Sequence, residues 1–156
     1  MDNQTRIDRV TRFIETLNQA RGLGLTVTDA GEGELTLCLP YSRQIIGNPD
    51  TGVIHGGAIT TLMDTASGSV ILCALEEFEL CPTLDLRVDY MRPAQPGEPV
   101  YARAQTYRIT KNIIFTRCEA FQAGGETVAN CVATFMRIGK EAMPRQFRER
   151  IMGEGQ

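Results

Sequence analysis

The chain has 156 residues, 42% of them hydrophobic, which is enough for one well-buried domain and short for two. A net charge of -3 and a pI near 5.2 give no basic face, which argues against nucleic acid as a partner. Cys38, Cys73, Cys81, Cys118 and Cys131 are odd in number, form no C-x-x-C pair and follow no secretory leader, the pattern of reduced thiols in a cytoplasmic protein.

Ile7, Val10, Phe13, Ile14 and Leu17 recur at helical spacing, with Asp8, Arg9, Arg12 and Glu15 on the other side, and predict an amphipathic helix over about residues 5–20. The runs 25–29 and 34–39, separated by Gly31-Glu32-Gly33, read as a β-hairpin. After Pro40 a polar stretch holding Asn48-Pro49 and Gly52 reads as a shaped loop that delivers the chain to His55.

From Gly56 to Leu75 the only charged residue is Asp64, so this stretch predicts a long buried helix. Its length matches a membrane span, but an Asp, several Ser and Thr, and two initial glycines favour a soluble, enclosed helix and no membrane. With a single histidine, no multi-histidine metal site can be built, and no metal is expected. The helix carries two candidate chemical groups. Asp64 is an acid in apolar surroundings, and the His55-Gly56-Gly57 start leaves backbone N–H groups open to a developing negative charge. Eight residues separate Gly56 from Asp64, which at helical rise is about 12 Å. One carbonyl cannot meet both, so joint action requires two helices antiparallel about a two-fold axis, a homodimer with composite sites.

Beyond the helix, residues 83–91 alternate, with Leu84, Leu86, Val88 and Tyr90 on the face expected to pack on the helix and Asp85, Arg87 and Asp89 opposite. Three further strands, over 100–109, 113–123 and 127–138, turn at Thr110-Lys111-Asn112 and Gly124-Gly125 and read as an antiparallel meander. A charged tail over 140–156 is expected to form a short helix and then fray. The fold class is α+β, one antiparallel sheet wrapped around one central helix.

The segments N-P-D-T-G-V-I-H-G-G, A-I-T-T-L-M-D-T-A and T-L-D-L-R-V-D-Y-M-R-P-A resemble the hotdog-fold acyl-CoA thioesterases of the phenylacetate-pathway type over roughly residues 35–138. The resemblance implies a single hotdog domain with a core over about 24–139, hydrolysing an acyl-CoA to free acid and coenzyme A. It assigns Asp64 as general base or nucleophile, Gly56 as the oxyanion amide, Asn48 as a support, and Thr83 as the hydroxyl that places water; His55, just before the helix where a ring nitrogen can bond loop backbone, reads as site-supporting. It places coenzyme A along Gly57, Asp85, Tyr90, Met91, Arg92 and Pro93 and along Arg108, Lys111 and Asn112. Coenzyme A is then part of the substrate and no other cofactor is required. The implied assembly is a homodimer or a tetramer of two dimers. A hydratase on the same fold and a non-catalytic acyl-CoA-binding protein are the alternatives; the first normally requires an Asp/His pair, and the only histidine sits at the helix start.

Overall fold

A computed structural model describes residues 1–154. The element order begins with α1 (Asn3–Ile14) and α2 (Asn18–Leu23), followed by the hairpin β1 (Thr26–Gly31) and β2 (Glu34–Leu39). A short ribbon, β3 (Ile46–Asn48) and β4 (Val53–Ile54), leads into α3 (Gly56–Ser69) and α4 (Ile71–Ala74). Strands β5 (Thr83–Tyr90), β6 (Val100–Ile109), β7 (Ile113–Phe121) and β8 (Thr127–Met136) follow, and α5 (Arg145–Met152) ends the described chain.

The six long strands form one antiparallel sheet in the order β1-β2-β6-β7-β8-β5. The sheet curls around α3, whose Ile59, Leu62, Met63 and Ala66 are buried against Leu35, Leu37, Ala102, Ala104 and Ala120. Each such Leu, Ile or Met contributes about 1.5–3 kcal/mol by leaving water. Alanines along β6 and β7 let the helix approach, while Phe135 fills the opposite end. Gly56–Ala74 is the one stretch among the described residues long and apolar enough to cross a membrane, and the sheet that encloses it accounts for that composition.

The amino-terminal helix breaks where one helix is predicted. Asp2 caps α1 by accepting the Thr5 N–H at 2.7 Å, and this bond holds its carboxyl below the usual range. After a turn through Glu15–Leu17, α2 runs to Gly24, whose φ of 69° closes a left-handed cap. Arg9, assigned to the solvent face by periodicity, is instead buried, as is Arg6. The Arg9 guanidinium donates to the carbonyls of Leu75 and Glu76, each at 3.1 Å, and Arg6 Nε donates to Cys73 O at 3.2 Å. Cys73 O is among the last carbonyls of α4, and those of Leu75 and Glu76 follow directly on its end, so two cations meet the negative end of the helix. Burial lowers the Arg9 pKa and pushes the Cys73 thiol up to about 12.

The carboxyl-terminal segment docks before it ends. Ile151 is fully buried, and Phe78 packs between Phe13 and Phe147 with tilted rings whose centroids are 5.9 Å from its own. Arg12 Nε donates to Ile151 O at 2.9 Å and fastens α5 to α1. Gly155 and Gln156, part of the predicted frayed end, lie outside the described residues.

Candidate active site

The ribbon β3–β4 sets the start of α3. His55 N donates to Ile45 O at 2.7 Å, and a β-carbon on Gly47 would lie 2.9 Å from His55 Cα, so the two strands touch backbone to backbone. Asn48 is exposed and turns the ribbon: its carbonyl accepts from Gly52 N at 2.8 Å and its side chain from Asp50 N at 3.0 Å. His55 is the N-cap of α3, with Nδ1 accepting the Gly57 N–H at 2.9 Å. Ala58 N reaches His55 O at 3.0 Å. Of the first three helical amides, Gly56 N–H alone has no partner among the described residues. A free N–H at the positive end of a 14-residue helix can donate to a developing negative charge.

Asp64 lies half-buried two turns further along, at the edge of two clefts. Thr83 Oγ1 donates to Asp64 Oδ1 at 3.0 Å. Strict alternation along β5 would put Thr83 on the outer face with Asp85. The register steps from Thr83↔Phe135 to Asp85↔Thr134, so Leu84 is an extra, bulged residue and Thr83 turns with buried Phe135 toward the helix. Leu84, predicted to pack on α3, is 54% exposed as a result, while Leu86 and Val88 do pack on the core. One cleft at Asp64 has a volume of about 160 Å³ and is lined by Phe13, Leu72, Phe78, Phe135 and Gly68. Those residues come from α1, α3, α4, β8 and the loop before β5, and no local motif announced them. The signal present in the sequence is Gly68, a small residue one helical turn beyond the acid.

The other assigned residues divide between two ends. Tyr90, Met91, Arg92 and Pro93 gather with Gly56 around an opening of about 370 Å³. Tyr90 Oη donates to Gly56 O at 2.6 Å and contacts Thr60 Oγ1, so it touches the helix start. Arg92 pairs with Glu126 at 2.7 Å. Arg108, near the end of β6, and Lys111 and Asn112 of the β6–β7 turn lie at the opposite end, where Arg137 N donates to Asn112 O at 2.8 Å and Met136 N to Pro82 O at 2.9 Å, beside Thr83. Asp85 is exposed on the outer face. Gly57 is exposed beside His55. Within one chain the acid and the free amide therefore open into separate clefts, at the two ends of the edge strand β5.

An antiparallel sheet curled on one long helix, with an acid and an open amide along that helix, defines a hotdog-fold protein. A family model described as Thioesterase superfamily matches residues 51–129, half of the chain. The chain belongs to the thioesterase superfamily. It is 41% identical to a putative esterase of Halobacterium salinarum over 76 residues, 47% of this chain and 50% of that protein, so it spans half the length of this relative. It is 28% identical to the medium/long-chain acyl-CoA thioesterase YigI of Escherichia coli over 137 residues, 80% of this chain and 88% of that one. A crystal structure of a Pseudomonas aeruginosa protein is similar with a TM-score of 0.78 and 54% identity, covering 85% of this chain and 99% of that one. The E. coli PaaI protein from the phenylacetic acid degradation operon shares the fold with a TM-score of 0.77 at 22% identity, over 87% of this chain and 95% of that one.

Proposed function

We propose that the protein is a cytoplasmic acyl-CoA thioesterase whose active sites are shared across a homodimer. The observation that carries this reading is the split site: Asp64 with Thr83 at one end of β5, Gly56 with Tyr90 and Arg92 at the other. β5 is an edge strand with an unpaired side, and exposed Leu84 lies on it. Two copies joined along β5 in antiparallel register bring the Thr83 end of one to the Tyr90 end of its partner. Each composite site then holds one acid and one free amide, and a two-fold axis makes two of them. Arg108 and Lys111, which have no carboxylate partner among the described residues, come to the same mouth as Arg92 and suit the phosphates of coenzyme A. Two such dimers would form the tetramer that the resemblance implies.

In the reaction, Asp64 takes a proton from water as the oxygen attacks the thioester carbon. The Thr83 hydroxyl, which donates to Oδ1, keeps lone pairs that accept a hydrogen from that water. The carbonyl oxygen gains charge against the Gly56 N–H of the other chain, a donor worth roughly 10²–10³ in rate. The carbon–sulfur bond breaks, coenzyme A leaves as thiolate and takes up the proton, and the free acid departs.

The test is thiol release from a panel of acyl-CoAs by wild type and Asp64→Asn, followed by subunit mixing. Asp64→Asn and Gly56→Val homodimers should each be inactive, and a 1:1 mixture exchanged to equilibrium should recover about a quarter of wild-type activity, since half the dimers carry one intact site. No recovery in a mixture shown to have exchanged would refute the shared site. Binding of acyl-CoA without turnover by wild type would refute the enzyme.

A further inference from the structure

The family resemblance assigns Tyr90 to coenzyme A, yet its hydroxyl is committed to the protein. A phenol has one proton to donate, and this one goes to Gly56 O at 2.6 Å, so the contact with Thr60 Oγ1 must be donated by the threonine. The carbonyl that Tyr90 holds belongs to the Gly56–Gly57 peptide, whose other end is the N–H accepted by His55 Nδ1 at 2.9 Å. One peptide plane is thus pinned at both edges, by a side chain of the sheet and a side chain of the loop.

The two glycines are explained by the same contacts. Neither has a positive φ. A β-carbon on Gly56 would stand 3.3 Å from Tyr90 Cζ and Oη, and one on Gly57 would stand 2.8 Å from His55 Nδ1. Glycine is required here for close approach and not for an unusual backbone angle.

We propose that Tyr90 is a positioning residue for the oxyanion amide: together with His55 it fixes the Gly56–Gly57 peptide and thereby aims the adjacent Gly56 N–H. This rests on the thioesterase reading above. The next two amides are occupied by His55, so the developing charge depends on a single helix-start donor. A neighbouring N–H cannot compensate if that donor turns away. Tyr90 has no free proton and acts only through the backbone, which separates it from a catalytic acid and from a coenzyme contact.

Tyr90→Phe keeps the ring over Gly56 and removes only the hydroxyl. With an acyl-CoA that wild type hydrolyses, kcat should fall about tenfold while KM stays within about a factor of two, because a misaimed donor affects the transition state more than binding. In spectra of [15N]glycine-labelled protein, the Gly56 and Gly57 amide resonances should move while glycines remote from the site, such as Gly124 and Gly139, stay in place. A raised KM with unchanged kcat would show a coenzyme contact instead and overturn the proposal. Unmoved Gly56 and Gly57 resonances would overturn it as well. If wild type hydrolyses no acyl-CoA, the thioesterase reading has failed, and the glycine resonances alone decide whether Tyr90 holds the peptide.

Discussion

Gly57→Ala puts the geometry of the helix start to a quantitative test, because stability and activity should respond differently. The added methyl would sit 2.8 Å from His55 Nδ1 and 3.1 Å from Cε1, closer than unbonded atoms tolerate, so the imidazole must swing out. The cap bond to the Gly57 N–H is then lost, which costs about 0.5–2 kcal/mol. Alanine is the better helix former by about 0.8–1.0 kcal/mol, which offsets much of that. The net change lies within about 1 kcal/mol, or roughly 2–4 °C in Tm for a domain of this size. Activity has no such offset, since the peptide beside the Gly56 amide loses one of its two anchors, and kcat should fall on the order of 10–100-fold. Thermal unfolding at fixed protein concentration and steady-state thiol release measure the two quantities. Wild-type kcat with the His55 bond intact in a crystal structure of the variant would refute the reasoning.

Arg9→Met removes the donor that closes the central helix and should lower Tm by about 4–8 °C in thermal melts, from a loss of about 2 kcal/mol; Arg9→Lys should recover much of it, because one guanidinium nitrogen, Nη1, makes both carbonyl bonds and an ammonium can stand in for it. Gly68→Ala places a methyl 3.3 Å from Phe135 Cε1 inside the cleft of about 160 Å³. That cleft is about the size of a cavity that admits a six-carbon ring, so kcat/KM should fall more for phenyl-sized acyl groups than for acetyl. Equal loss across a chain-length series would remove the acyl group from this cleft. Burial pushes the Cys81 thiol up to about 11 and Cys73 higher still. At pH 8 only about one Cys81 in a thousand is thiolate, so iodoacetamide should label neither residue in the native protein and both after unfolding, as read by mass spectrometry.

The helix from Gly56 and the strands after it are legible because their apolar residues follow simple rules: unbroken for an enclosed helix, alternating for a half-covered strand. The candidate site was legible to the extent that its groups lie on those elements. Asp64 stands out as the one charge, and His55-Gly56-Gly57 as an open helix start. What escaped are features decided by tertiary partners. Arg9 reads as a solvated charge until the end of the central helix is placed beside it. The polar stretch before His55 is too short and mixed to show that it pairs as β3 and β4. Phe147 and Ile151 sit among charges that mask their docking on Phe78 and the core. Tyr90 lies on the predicted face of its strand, but no pattern in the strand reveals that its hydroxyl ends on a glycine carbonyl.

The bulge at Leu84 makes the conformation of a single residue of β5 a functional variable. Were the strand to run flat through Leu84 with no bulge, Thr83 would share the outer face with Asp85 and Asp64 would lose its hydroxyl neighbour, with every chemical group still encoded. A gap of a single position at this point in a related chain would therefore leave the hydroxyl turned toward its acid, whereas a regular strand of unchanged length would turn it away.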